Sequence, residues 1–213
     1  MIILLLITLL LGIVPVIHTL LLKNKRNSIG PIKPFLYLTA FSSIYELIFT
    51  FLLKKDVKIW FTAYDIIEFL LIFYFFFKLN FPKYRILLYI FLTLSVISFT
   101  PNFFVIHKSI HHFLNVQALS SGGITVFVFI MTFLWFRDIF KKMEIPSLWK
   151  TPEFYYISGL FIYHSTTFFL FLLSDLILNI DSEMFMDYWL LNIIATFILR
   201  TLLIIGVWKT PHR

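Results

Sequence analysis

Asp65 and Glu68 lie three residues apart in "AYDIIEFLLIFYFFF" (Ala63 to Phe77), a run that otherwise reads as the middle of a membrane-spanning helix. An i, i+3 spacing puts both carboxylates on one helical face. Acids so placed bind protons or cations, or anchor an interhelical hydrogen-bond network. Glu46 has a similar setting in "YELIFTFLL" from Tyr45. His164 sits mid-run in "GLFIYHSTTFFLF", and Asn192, Thr196 and Arg200 follow at steps of four. Glu46, Asp65, Glu68, His164, Asn192 and Arg200 are therefore the candidates for ligand or proton binding, with an interhelical polar network as the structural alternative. Asn115 and Gln117 add amides at the start of the fifth apolar run.

Metal binding and catalysis have weaker support. "HKSIHH" contains His107, His111 and His112, with His107 and His111 at the i, i+4 spacing that offers two ligands from one helical turn. No third ligand is evident, so a solvated histidine cluster competes with a metal site. HExxH, a phosphate-binding glycine loop and GxSxG are all missing from the sequence. There is no cysteine. No catalytic residue is assigned and no cofactor is expected. A retinal-type Schiff base would need a lysine mid-way along the last helix, where Arg200 stands instead.

The elements that carry these residues follow from hydropathy. The chain has 213 residues, 60% hydrophobic and 14% charged, with a mean hydropathy of +0.92. A soluble domain of this size could not bury so much apolar surface. A span needs about 20 mostly apolar residues, and seven windows qualify: 2–22, 34–53, 59–78, 86–106, 113–136, 153–177 and 187–208. The expected fold is all-α, a single seven-transmembrane-helix bundle over 1–213. "MIILLLITLLLGIVPVIH" lacks a basic leader and a cleavage site, so the first window reads as a retained span. Pro15 and Pro101 should kink their helices. "SSGG" (Ser120 to Gly123) permits close approach or local unwinding of the fifth.

Lysine and arginine set the orientation. Alternate span ends carry thirteen on one side (Lys23, Lys25, Arg26, Lys33, Lys78, Lys83, Arg85, Arg137, Lys141, Lys142, Lys150, Lys209, Arg213) and four on the other (Lys54, Lys55, Lys58, Lys108). The expected N-terminus is outside and the C-terminus cytoplasmic. The net charge of +7 is this asymmetry; no basic stripe on a soluble element suggests nucleic acid. Trp135, Trp149, Trp189 and Trp208 are expected in the interfacial belt. The 137–153 connection reads as a helix on the headgroups, with Thr151-Pro152-Glu153 starting the next span.

An energy comparison decides which way the acids face. Each central acid costs roughly 3 kcal/mol, and thirteen Leu, Ile and Phe between Ile59 and Leu79 return roughly 0.5 kcal/mol each. The third span is thus near zero alone, and its acids must turn toward other helices or water. In the second span Thr39, Ser42, Ser43, Glu46 and Thr50 form one polar stripe at helical spacing. At about 1.5 Å per residue Glu46, Asp65 and Glu68 share one level of the outer leaflet. Arg200 lies deeper, from where it either reaches up toward Glu68 or snorkels down to the headgroups.

"YELIF" from Tyr45, "YDIIEFLLIFYFFF" from Tyr64 and "TPEFYYISGLFIYHSTTFFLFLLSD" from Thr151 resemble a group of short, uncharacterised seven-span bacterial membrane proteins, some similar to the membrane input modules of sensor histidine kinases. The resemblance implies a sensory or accessory role in the bacterial inner membrane. Only "KTPHR" follows Trp208, so the expectation is of no attached transmitter domain and of a signal passed to a separate chain. The expected partners are the lipid bilayer and a membrane or cytoplasmic signalling protein; homo-oligomerisation stays open. A small proton- or cation-coupled transporter is the alternative function, and a lipid-modifying enzyme a weaker one.

Overall fold

The computed structural model describes residues 2–21, 30–53, 58–80, 83–105, 110–142, 147–180 and 182–210. All regular structure among them is helical: α1 (Ile2–Leu21), α2 (Lys33–Tyr45), α3 (Lys58–Asn80), α4 (Arg85–Val105), α5 (Ile110–Lys142), α6 (Pro152–Ile180) and α7 (Ser182–Lys209). Short 3-10 turns at Gly30–Ile32 and Leu148–Lys150 precede α2 and α6. Among the described residues six helices are long and apolar enough to cross a membrane, the architecture of a multi-pass membrane protein. Their spanning stretches are Ile3–Leu21, Ile59–Leu79, Arg85–Asn102, Val116–Lys141, Pro152–Ser174 and Asp187–Lys209. The remaining window, 34–53, is helical too but changes type: α2 ends at Tyr45 and continues as a π-helix over Glu46–Leu52.

Consecutive helices pack against one another, and α1 closes the ring against α7. The helix α3 also touches α5, which draws it toward the middle. Phenylalanine fills the centre. Phe127 of α5 is fully buried. Its ring meets Phe69, Phe73 and Phe76 of α3 at 5.5, 6.0 and 5.8 Å, and Phe91 of α4 at 5.3 Å. Lipid tails are as apolar as these rings, so dispersion and close fit rather than transfer from water hold the helices together. The helices α6 and α7 also approach closely. A Cβ on Gly206 would collide with the Tyr156 ring, which is itself buried.

Several expectations change. Trp135 is only 7% exposed and belongs to the core, whereas Trp149 and Trp208 are 68% and 69% exposed. The reason is length: α5 runs on to Lys142, so Trp135 is not at its end. For the same reason the 137–153 connection is no separate surface helix: α5 occupies its first part and a 3-10 turn its last. "SSGG" does not unwind α5, which is helical throughout; a Cβ on Gly123 would meet Ser98 Oγ at an ordinary 3.5 Å. Pro15 and Pro101 lie inside continuous helices α1 and α4. The helix α6 does begin at Pro152. The polar stripe of α2 stops early: Thr39, Ser42 and Ser43 are buried, Glu46 is half-buried, and Thr50 is exposed.

Candidate functional site

The helices α2, α3 and α7 bring the charged candidates to one level. Measured along each helix at about 1.5 Å per residue, Glu46 is about 20 Å from the Lys33 end of its helix. Glu68 is about 18 Å from Asn80, and Arg200 about 14 Å from Lys209. These ends are the ones rich in lysine and arginine. The long side chain of Arg200 covers the remaining difference in height.

Arg200 is 5% exposed. Its Nη1 donates to the backbone carbonyl of Thr8 on α1. That carbonyl lies in a helix interior, and its second lone pair is what makes it available. Gly12, one turn further along α1, opens the space: a Cβ there would stand 3.1 and 3.2 Å from Arg200 Cζ and Nε, and would collide with Ser43 Oγ of α2. The guanidinium therefore lies flat against α1 in the bundle interior and does not snorkel to the headgroups. Its ionisable neighbours are Glu46, Tyr64 and Tyr163, on three further helical segments. Among the described residues it makes no ion pair, and its Nε is buried without a hydrogen-bond partner.

The acids also face inward. Asp65 is 9% and Glu68 4% exposed, as i, i+3 spacing on a helix with one buried face requires. Each has a side-chain partner: Gln117 of α5 for Asp65, and Tyr64 of the preceding turn for Glu68. The two carboxyl groups also act on each other electrostatically. Glu68 keeps one oxygen, Oε1, buried and unpartnered. Glu46 accepts a 2.8 Å hydrogen bond from Ser42 Oγ one turn back, and it faces Arg200, Tyr64 and Tyr163 electrostatically. Glu46 is also the first residue of the π-helix, a distortion that recurs at functional sites.

Two candidates stand apart from these contacts. His164 is 4% exposed, with Nε2 buried and unpartnered and the Tyr163 ring 5.1 Å away. Asn192 keeps Oδ1 buried and unpartnered, while its backbone carbonyl accepts from Thr196 Oγ1 at 2.8 Å. No described hydrogen bond ties either residue to the acids. His107 lies outside the described residues, as do the side chains of His111 and His112. Among the described residues no three His, Asp or Glu side chains could hold a metal ion together.

Sequence reasoning did not single out Thr8, Gly12, Tyr64 and Tyr163. Gly12, a lone glycine in a strongly apolar run, was the one readable signal. A second polar cluster, at the start of α4 and the end of α5, was missed as well. Lys83 pairs with Asp138, and Tyr84 donates to the same carboxylate across 2.7–2.8 Å. Arg137 Nη2 donates to the Tyr84 hydroxyl at 2.6 Å. Hydrogen bonds from Lys83 to Asp138 and Tyr84 hold its ammonium above the ordinary 10.5. Charge counting used these residues for orientation only, because pairing between helices is invisible to it.

A scan of protein-family models, a search of curated proteins and a search of solved structures each gave no match to this chain.

Proposed function

We propose that the chain is a seven-span sensory or accessory module of the bacterial inner membrane, N-terminus outside and C-terminus cytoplasmic, that signals through a separate protein. The 34–53 segment would be the seventh span, its helix continuing through the π-helical turns. The excess of lysine and arginine at one set of helix ends supports the orientation. One observation carries the functional reading: the buried Arg200 is bonded to α1 and surrounded by ionisable groups of three other helical segments, with Nε left over. A buried charge in a low-dielectric interior must find partners. A small ligand or cation arriving among Glu46, Tyr64 and Tyr163 changes which partners are best. The helices that carry them then repack, and two packings differing by a few kcal/mol suffice for a switch.

The absence of cysteine gives a clean test. Spin labels on single cysteines introduced at Lys141 and Lys209 report the spacing of α5 and α7 at the basic end. Arg200→Met and Glu46→Gln are each expected to shift that distance distribution, and proteoliposomes of the unaltered protein to show no proton or cation flux. Unchanged distances in both variants sink the switch.

Asp65 and Glu68 favour the second reading, a small proton- or cation-coupled transporter. They are two buried carboxyl groups acting on each other, with one oxygen free to take a proton or cation. Here Glu68→Gln would abolish a flux that the unaltered protein supports, while the variant stays folded.

A further inference from the structure

We infer that Tyr64 is a positioning residue that carries the arrival of a proton at Glu68 to Arg200. The inference rests on the two-packing switch and names its ligand. Tyr64 and Glu68 stand one turn apart on α3, and the Tyr64 hydroxyl donates to one oxygen of Glu68. The other oxygen, Oε1, is buried without a partner. A hard metal cation gathers about six oxygen ligands, whereas a proton needs only this one.

Tyr64 also faces the group around Arg200. Its electrostatic neighbours besides Glu68 are Tyr163, Arg200 and Glu46. Aromatic contacts fix it there. The Trp60 ring lies 6.0 Å from that of Tyr64 and stacks at 4.3 Å on Tyr45, the residue before Glu46. The start of the π-helix is thereby held against this part of α3. The ionisable groups facing Tyr64 and Glu68 are Asp65 on α3, Glu46 on the π-helix, Tyr163 on α6 and Arg200 on α7. From α5 comes the neutral amide of Gln117, and α4 has no ionisable residue beyond Tyr89.

One hydroxyl cannot serve both groups at once. While Glu68 is a carboxylate, it takes the strongest hydrogen bond that Tyr64 can give. A proton added at Oε1 turns it into a neutral acid and weakens that bond about twofold. The hydroxyl then turns to the carboxylate of Glu46, and its oxygen faces Arg200 Nε, a buried donor without a partner. One proton has been bound, and otherwise only hydrogen bonds have been exchanged. Satisfying the orphaned Nε favours the second arrangement, in which Tyr64 ties α3 to α7.

The experiment takes the spin labels at Lys141 and Lys209 through a pH series, while infrared difference spectra follow the stretch of protonated carboxyl groups. In the unaltered protein the distance distribution should shift with the same midpoint as the carboxyl band. Glu68→Gln should hold the acid-side distribution at every pH. Tyr64→Phe keeps the ring beside Trp60; its carboxyl band should still titrate while the distance response is lost. A distance response that survives in Tyr64→Phe overturns the inference. So does a response to sodium at constant pH in place of one to protons. Distances in the unaltered protein that ignore pH overturn it whether or not a variant folds. The switch itself then stands if Arg200→Met and Glu46→Gln still shift those distances, and falls with the inference if they do not.

Discussion

Arg200 and Thr8 are 192 residues apart in the chain, yet the guanidinium of one donates to the backbone carbonyl of the other. The bond joins the last helix to the first and closes the ring. Gly12 makes room for it: a Cβ there would collide with Ser43 Oγ and press on the guanidinium at 3.1–3.2 Å.

Gly12→Ala should therefore destabilise the protein by about 1–3 kcal/mol, the usual cost of overpacking a close contact. Thermal unfolding in detergent reads this out. Gly12→Ala combined with Ser43→Ala should recover part of the loss, because the closest colliding atom is removed. Equal stability of Gly12→Ala and the parent would mean that α1 does not approach α7 this closely.

Arg200 separates stability from function. It makes no ion pair among the described residues, so Arg200→Met removes a buried charge without stranding a paired one. Keeping a guanidinium out of water costs on the order of several kcal/mol, and the substitution removes that cost. Arg200→Met should keep the unfolding midpoint or raise it while removing the signal or the flux. Arg200→Lys should fare worse in stability, because a shorter point charge cannot lie along α1 and reach Thr8 O. A midpoint much lower in Met than in Lys contradicts this.

Phe127 holds the core where α3, α4 and α5 meet. Phe127→Ala should cost about 3–5 kcal/mol, read as a drop in the detergent unfolding midpoint. Phe133→Ala, on a ring 62% exposed to lipid, should cost far less. Similar losses for the two would place the core elsewhere.

At the end of the bundle the Lys83–Asp138 contact is exposed, and its contribution is small and salt-sensitive. Its pH dependence has a definite sign. The Lys83 ammonium is held above the ordinary 10.5 by hydrogen bonds to Asp138 and Tyr84. Whatever stability it adds is complete below 10.5 and is lost as pH rises through the higher folded-state value. Unfolding midpoints of the parent and Lys83→Gln should therefore converge in strong alkali, and also in acid once Asp138 takes up its proton and the pair is lost; a difference that persists in strong alkali would reverse the assignment.

Orientation is testable with impermeant thiol reagents, the parent having no cysteine. A cysteine at Leu53 should label in intact cells, whereas one at Lys209 should label only after permeabilisation. The reverse pattern would invert the protein.

Hydropathy and the cost of charge in lipid determined a good deal from the sequence alone: an all-helical chain, the position of its long apolar runs, and that Asp65 and Glu68 turn inward. Each of these depends on one helix and its solvent, and periodicity within a segment records that. Tertiary structure decided the rest, because it concerns distances between helices. Thr50 continues the spacing of the α2 stripe yet is exposed, because among the described residues no neighbouring helix covers that end of the segment's face. Trp135 became core because α5 extends a further two turns. Arg200 turned toward α1, and not toward the headgroups, because a lone glycine left room beside a backbone carbonyl. A backbone acceptor has no side-chain signature, so the partner of the most deeply buried cation had to be seen in space.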